Sequence, residues 1–514
     1  MTTSLATDPS SSRGNLLALV LALVTGLDYF DNSIFSFFVS YIAGGINASP
    51  DELVWSSSCY AVGAVLGVVQ QQWWIDRLGN RYYISGCMLL YGVGAVACAF
   101  CETSFQLTLA RGFQGYFIGP MMGACRILIQ DNFGLQQRAG AIRLFLISIV
   151  MSSALAPLVG GFLVSHLDWR ALFACTAPFA AAFAALAAFC VPASGKVPSE
   201  KRGSAHFAPY LAFAFAQAAL QIVMQRVRFE LFTGSPLLVV LCISGLAALA
   251  WFVYQQWDHP TPLVRLNALR ERTFQVGLVL YMFYYYESTG LSYLVSRFLE
   301  GGLDYPVENA GRLVGLTSLL SSCALFAYFR YSRLITRKKW LVVCGFTIAA
   351  LLSWLMTMMS PDVSENALLL PLLLRGLLLL FIVLPVANLT FRIFQIEEFS
   401  HGYRLKNIVR QLTISFATAS VIIVEQHRQA VHQTRLSEWV NPYNPNYQAA
   451  AQALASGLMS AGQSPGQAHL AALATVQRIV TQQASFLTAL DGFKFMMIVA
   501  LCAGLFAIWQ RHID

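Results

Sequence analysis

Residues 16–40 read LLALVLALVTGLDYFDNSIFSFFVS, an apolar stretch that contains two acidic residues, Asp28 and Asp31. A helix of roughly twenty apolar residues is long enough to cross the ~30 Å hydrocarbon core of a bilayer. Similar stretches recur along the chain, separated by short loops that carry most of its Lys and Arg residues. Because lipid offers no hydrogen-bond partners to the backbone, we expect an all-α polytopic membrane protein.

The composition agrees with this fold class. Of the 514 residues, 57% are hydrophobic and 11% are charged, and the mean hydropathy is +0.59. Such a chain would not stay soluble with most of its surface in water, which excludes an ordinary soluble protein. The net charge of +8 comes from bases in short loops rather than from one basic face or tail. It therefore indicates membrane orientation and gives no reason to expect a nucleic-acid partner.

Apolar runs bounded by turn residues predict about fourteen transmembrane helices. Residues 1–192 contain six predicted spans that form a first bundle, and residues 274–514 contain six more that form a second. Residues 193–273 are predicted to contain a linker and two inserted helices with basic cytoplasmic loops. Residues 429–487 form a long polar outer loop, which predicts an ordered cap or interfacial helix pair, with a flexible loop as the alternative.

Basic residues are concentrated in every second predicted loop, for example Arg77 with Arg81, and Arg404 with Lys406. The positive-inside rule places these loops in the cytoplasm. An even number of spans then puts both termini there as well. The segment before Leu16 lacks the pattern of a cleaved signal peptide. We therefore expect a multi-pass protein of a cytoplasmic membrane.

Asp28 and Asp31 are three residues apart and so lie on one helical face. An ionisable side chain inside a membrane costs about 2.5–3.5 kcal/mol on insertion scales, so each needs a function or a buried partner. A carboxyl group in a low dielectric can bind and release a proton near neutral pH, which is the chemistry of a proton-coupled transporter. The alternative is a carboxylate held by a hydrogen bond from a neighbouring helix.

Glu287 lies in a predicted span dense in aromatic residues, among them Tyr284, and both are candidates for binding a cationic or aromatic substrate. An acid beside an aromatic belt at the membrane interface is the alternative. Arg111, Arg375 and Arg410 lie at or within the ends of predicted spans. Such an Arg can pair with a buried acid, bind an anion or reach the lipid headgroups, and the headgroup interpretation is preferred for Arg375 and Arg410.

Three short motifs add to this pattern. Between the second and third spans, residues 72–81 read QWWIDRLGNR, a tight turn with an acid, flanking bases and a Gly. In the fourth span, residues 111–115 read RGFQG, and in the fifth span, residues 156–161 read APLVGG. Small residues let helices approach closely and a Pro bends a helix, so the last motif suits a gating surface.

In this order and at these positions, the residues and motifs resemble the major facilitator superfamily, specifically its 14-span drug:proton antiporter branch of the EmrB/QacA type. Asp31 matches the acid of that branch's first-span motif, and Arg111 with Gln114 matches its fourth-span motif. The resemblance covers nearly the whole chain. It implies a major facilitator fold and a proton-coupling role for Asp31 and Arg111, with Asp28 as a further candidate, while Gln114 becomes a candidate for substrate binding.

The resemblance also implies conformational roles for the turn after the second span and for the fifth-span motif. The candidate gating residues are Asp76, Arg77, Gly79, Arg81, Pro157, Gly160 and Gly161.

The predicted function is proton-coupled efflux of small amphipathic compounds across a bacterial cytoplasmic (inner) membrane by alternating access. The expected partners are a small-molecule substrate, protons and the lipid bilayer, and the resemblance adds a periplasmic adaptor protein and an outer-membrane channel. No cofactor or metal site is expected. One alternative is a dedicated exporter of a single anionic metabolite. A remote one is a membrane-embedded enzyme that uses His427 and His432.

Overall fold

The structure is a computed structural model. It describes residues 11–197, 207–226, 235–257, 259, 262–331, 337–394, 396–441 and 443–511. Residues 198–206 of the predicted linker lie outside the described residues. Within the described ranges every regular element is a helix, which confirms the all-α fold class.

The helices are numbered along the chain. The first helix group consists of α1 (Ser11–Phe37), α2 (Val39–Gly45), α3 (Pro50–Ala99), α4 (Ser104–Ile118), α5 (Met121–Asn132), α6 (Leu135–His166), α7 (Ala171–Ala174) and α8 (Thr176–Cys190). The inserted pair is α9 (Phe207–Arg226) and α10 (Pro236–Trp257). The second helix group consists of α11 (Arg272–Arg297), α12 (Val307–Tyr331), α13 (Lys338–Thr357), α14 (Glu365–Leu378), α15 (Leu384–Thr390), α16 (Ile396–Ser437), α17 (Pro445–Ser460) and α18 (Pro465–Trp509).

Among the described residues, 11 helices are long and apolar enough to cross a membrane. One of them, α3, has 50 residues and covers the second and third predicted spans, which meet at the non-helical Gly79. The fourth predicted span is divided into α4, with 15 residues, and α5, with 12, each too short to cross alone. The ninth predicted span corresponds to α11, whose apolar character is reduced by its Tyr residues. The helices are therefore consistent with the predicted count of about fourteen spans.

In the described part of the chain the two helix groups meet mainly along two interfaces, with smaller contacts of α5 on α16 and of α1 on α11. Inside the first group α3 packs on α4 and α8, and α1 packs on α6, while inside the second group α13 packs on α18 and α11 on α16. Between the groups α6 packs on α12 and α3 packs on α16. The inserted helices α9 and α10 pack mainly on each other. Two interfaces of this kind leave a space between the groups, which contains the candidate site.

Residues 429–487 are largely helical. The helix α16 continues past its predicted span to Ser437, and α18 runs without a break from Pro465 into the last predicted span. Between them α17 packs on α18, and the Asn444 side chain caps it by accepting a hydrogen bond from the backbone N–H of Asn446 at 3.0 Å. We call the end of the molecule that contains α17 the cap end. The opposite end, where α3 bends, is the basic end.

The assignment of Arg404 and Lys406 to a loop is wrong. Both residues lie within α16, which begins at Ile396, and both are buried. The apolar run that predicted the span begins only after them, because a polar segment precedes it. This segment stays helical because its polar side chains face other protein elements and a cavity instead of lipid.

Candidate functional site

Asp31 and Arg111 form a buried ion pair within the first helix group. Arg111 Nη1 lies 2.7 Å from Asp31 Oδ2, and both side chains are 1% exposed. Asp31 Oδ1 accepts hydrogen bonds from Tyr91 OH and Gln114 Nε2, both at 3.1 Å. Arg111 Nη1 also donates to Gln114 Oε1 at 2.6 Å. One carboxylate is thus held by residues of α3 and α4.

Aromatic rings surround the Arg111 guanidinium. Its central carbon lies 4.4 Å from the ring centre of Phe35, 4.2 Å from that of Tyr60 and 5.9 Å from that of Phe173. These cation–π contacts keep water away from the pair and lower the local dielectric. The attraction between Asp31 and Arg111 is correspondingly strong, and removal of either charge would leave the other buried without compensation.

Asp28, one turn earlier on α1, is paired across the two helix groups. Arg410 Nη2, from α16, lies 3.0 Å from Asp28 Oδ2. Asp28 Oδ1 also accepts hydrogen bonds from Asn32 Nδ2 at 2.9 Å and Tyr60 OH at 3.3 Å. Arg410 lies 4.8 Å from the ring centre of Tyr29. The interpretation that Arg410 reaches the lipid headgroups is therefore wrong, because its charge is used inside the protein.

Sequence reasoning missed three polar side chains that hold the two carboxylates, namely Tyr91, Tyr60 and Asn32. Asn32 follows Asp28 by four residues, so helical spacing was a usable signal for it. The two Tyr residues lie on α3, and their sequence positions do not distinguish a hydrogen-bond donor from a packing aromatic.

Two large cavities lie between the helix groups. The cap-end cavity has a volume of about 750 Å³ and the basic-end cavity about 580 Å³. Four residues line both cavities: Tyr29, Tyr284, Tyr285 and Leu379. They form a layer, here called the shared layer, with one cavity on each side. Tyr284, predicted to bind substrate, is thus placed where a molecule in either cavity could contact it.

The cap-end cavity is lined by several Arg residues, and Arg111 and Arg410 are two of them. Arg375 also lines it and donates from Nη2 to Ser292 Oγ at 2.7 Å, so the headgroup interpretation is wrong for Arg375 too. Gln114 is not among the described residues that line either cavity. Its side chain instead holds Asp31 in place, which makes it a positioning residue, and its predicted contact with substrate stays a prediction.

Glu287 lies behind the cavities rather than in them. It is 0% exposed, and among the described residues neither of its carboxylate oxygens has a hydrogen-bond partner. On the same face of α11, Gly290 packs against Met496, and the rings of Phe283 and Phe346 are 6.4 Å apart. This face is therefore turned to the apolar interior of the second helix group. The predicted role of Glu287 in substrate binding stays a prediction.

The turn at the basic end connects α3 with residues 191–197, which follow α8. Gly79 has φ 79°, in the region that favours glycine. The backbone oxygen of Asp76 accepts a hydrogen bond from this segment at 2.9 Å, and Arg81 Nε donates to a backbone oxygen of the segment at 2.8 Å. Arg77 instead packs on an aromatic ring one turn earlier in α3. The turn is thus fixed to the first helix group and would move with it.

The fifth-span motif lies at the interface between α6 and α12. A Cβ added at Gly311 of α12 would lie 2.5 Å from the backbone oxygen of Pro157, and one added at Gly161 would lie 3.3 Å from the α12 backbone. A Cβ at Gly160 would clash, at 2.1 Å, with the ring of Phe38, which lies between α1 and α2. Small residues of α6 and α12 thus bring the two helix groups into close contact, and the gating role of this motif stays a prediction.

At the cap end His432 is part of a cluster of charged residues on α16 and α18. Its Nε2 lies 2.7 Å from Asp491 Oδ2, and Asp491 also pairs with Arg428 and Lys494. His427 belongs to no such ion pair among the described residues. No group of three or more described His, Cys, Asp or Glu side chains could hold a metal ion. In this cluster His432 is held by Asp491.

Comparisons with known proteins show the family and the fold of this chain. Residues 21–418 match the profile of the Major Facilitator Superfamily. Multidrug export protein EmrB of Escherichia coli (strain K12) is 20% identical over 453 residues, which cover 88% of this chain and 87% of that protein. EmrB of Haemophilus influenzae is 23% identical over 439 residues, 84% of each chain. The fold matches a bacterial homologue of the human lysosomal transporter Spinster, crystallised inward-facing and occupied, with a TM-score of 0.61, 14% identity and 97% coverage of each chain. This chain belongs to the Major Facilitator Superfamily, and its relatives include multidrug export proteins of the EmrB type.

Proposed function

We propose that this protein exports small amphipathic compounds across the inner membrane of a bacterium in exchange for protons, by alternating access. The ion pair between Asp28 and Arg410 is the main support, because it joins the two helix groups beside the shared layer. A transporter that opens its two cavities in turn must break and re-form contacts between its halves. A carboxylate whose partner lies in the other half gives a proton direct control over such a contact.

Asp31 is the proposed proton-coupling residue, with Arg111 as its partner. Protonation of Asp31 would release the Arg111 guanidinium, which already lines the cap-end cavity. Tyr60 connects this event to Asp28, because its ring lies against Arg111 while its hydroxyl donates to Asp28. A proton bound at Asp31 would thus weaken the Asp28–Arg410 contact and favour the state that releases the exported compound.

The proposed orientation places the basic end in the cytoplasm with both termini, and the cap end in the periplasm. The helices α16, with 42 residues, and α18, with 45, are longer than a membrane crossing requires. Their outer parts and α17 would therefore project beyond the lipid. This projection supports a periplasmic adaptor, joined to an outer-membrane channel, as the proposed protein partner.

A second candidate function is export of a single anionic metabolite. Arg375 favours it, because this guanidinium lines the cap-end cavity and has no ion-pair partner among the described residues. The two functions differ in the range of compounds that the protein would transport. A narrow exporter would transport one anion and ignore unrelated amphipathic compounds, whereas the leading proposal requires transport of several compounds that share no scaffold.

Inverted membrane vesicles energised with an acidic interior test the leading proposal. We expect a panel of fluorescent amphipathic compounds of either charge to include several that accumulate, and an uncoupler to abolish their accumulation. Asp31→Asn should abolish it as well. Asp168→Asn is the matched control, since it removes an acid whose ion pair with Arg170 is about half exposed. Accumulation that survives the uncoupler, or an active Asp31→Asn variant, would refute proton coupling through Asp31.

A further inference from the structure

The basic-end cavity is lined by cations from four helices. They are Arg126 of α5, Arg143 of α6, Lys338 of α13 and Lys406 of α16. No Asp or Glu is among the described residues that line this cavity. Its volume of about 580 Å³ is within the range of small-molecule sites, and Tyr and Phe side chains make up much of the remaining wall.

Lys406 is the most deeply buried of these four cations, at 2% exposed. Its Nζ lies 3.5 Å from Asn407 Oδ1, and it lies 4.9 Å from the ring centre of Tyr403 and 5.2 Å from that of Tyr281. No carboxylate pairs with it in the described part of the chain. A buried ammonium group without a counter-ion is unfavourable, and contacts with ring faces compensate only in part. A bound anion would provide the counter-ion that the described residues do not.

We propose that the basic-end cavity binds an amphipathic anion, with its anionic headgroup on Lys406 and its apolar body against the aromatic wall. This inference rests on the proposed function and specifies its substrate class. The ammonium group provides three donors for a carboxylate or sulfonate, and the Tyr rings provide apolar surface. The cavity is at the end that the proposed orientation places in the cytoplasm, where an exported compound must bind first.

The cap-end cavity is consistent with the same class of substrate. On that side of the shared layer Arg375 is without an ion-pair partner among the described residues. The one acidic residue that lines this cavity in the described chain is Glu425, and it is already paired with Arg297 at 2.9 Å. An anion that crosses the shared layer thus leaves one unpaired cation and meets another.

Two probes with the same naphthalene ring, similar size and opposite charge test this inference. The full-length protein in lipid nanodiscs is titrated calorimetrically with 2-naphthoate and with 2-naphthylmethylammonium. We expect the anion to bind and the cation to bind at least about tenfold more weakly. Lys406→Gln should weaken naphthoate binding by roughly tenfold or more, because it removes the charge and keeps the length of the side chain. Lys494→Gln is the matched control, since Lys494 lies at the cap end and is 58% exposed.

Each outcome of these titrations has a defined meaning. If Lys406→Gln does not fold, Arg126→Gln replaces it in the same cavity with the same expected direction of change. Unchanged naphthoate affinity in the variant, or tighter binding of the cation, would overturn the inference. Uncoupler-sensitive accumulation of cations alone would also overturn it but would leave proton-coupled export standing. If no compound accumulates, the proposed function itself fails.

Discussion

Asp28 and Asp31 differ in the origin of their partners, although both are buried on the same face of α1. Asp31 is held by Tyr91, Arg111 and Gln114, all of them from the first helix group. Asp28 has its counter-ion, Arg410, in the second. A contact within one group keeps its geometry when the groups move relative to each other, whereas a contact between groups must break. Equal burial therefore leaves the two acids in different positions: Asp28 forms the contact between the groups, whereas Asp31 reaches that contact only through Tyr60.

The largest expected effect is on the contact within the first group. Asp31→Asn should destabilise the protein by about 3–5 kcal/mol, because it leaves Arg111 charged, buried and unpaired. The double variant with Arg111→Gln should regain part of this loss, since it removes both charges. Thermal unfolding in detergent measures both variants. Asp168→Asn, at an exposed ion pair, should cost no more than about 1 kcal/mol.

This prediction would be contradicted if the single Asp31→Asn variant melted like the wild type. The same result would remove the distinction between the two acids, because Asp31 would then contribute nothing to the stability of its own group. A double variant less stable than the single one would show that the two residues have separate partners.

The next largest effect is expected at Asp28. Asp28→Asn leaves Arg410 buried without its counter-ion, as Asp31→Asn does to Arg111, but here the contact that weakens is the one between the groups. We expect the conformational equilibrium to shift by about 1–3 kcal/mol toward a conformation in which the two helix groups are further apart at the basic end. Spin labels at Gly134→Cys and Arg337→Cys report the separation of the two groups, in a background without the 11 native Cys residues.

The control for this measurement is Asp31→Asn with the same labels. Its effect on the distance distribution should be smaller than that of Asp28→Asn wherever the variant folds, because Asp31 contacts only the first group. No shift at all in Asp31→Asn would contradict the proposed coupling of the two ion pairs through Tyr60.

The sequence predicted the helices and singled out Asp31 and Arg111 in two separate motifs, but it did not predict which residues from distant segments pair with each other. Asp31 and Arg111 were identified because both belong to motifs of known order. Arg410 and Lys406 were assigned to a span end and a loop, since a polar segment beside an apolar run looks like a loop when its neighbours in space are unknown. Their partners in the first group and in the aromatic wall depend on packing between the helix groups, which no local pattern records.

A third expected effect concerns the apolar part of the contact between groups. In Gly311→Ala the new methyl group would lie 2.5 Å from the backbone oxygen of Pro157, so α6 and α12 must move apart. We expect a loss of about 1–3 kcal/mol in stability and slower uptake into vesicles. Gly457→Ala in α17 is the matched control, because nothing lies within 4 Å of the added methyl group. Gly457→Ala should leave the free energy of unfolding unchanged or raise it by about 0.5–1 kcal/mol. Equal behaviour of the two variants would argue against close packing at this interface.

The smallest effect is expected at Glu287, the third buried acid of the comparison. Unlike Asp28 and Asp31, it has no Arg partner among the described residues, and neither cavity is lined by it. Glu287→Gln keeps the size of the side chain and removes only a charge that this apolar site cannot stabilise. The melting temperature should therefore stay within a few degrees of the wild type. Naphthoate affinity and uncoupler-sensitive uptake should stay within about twofold of the wild type. A loss of uptake as complete as in Asp31→Asn would show that an acid can couple protons here without an Arg partner. Proton coupling would then take place in the interior of the second helix group. The difference between the partners of Asp28 and Asp31 would not explain transport.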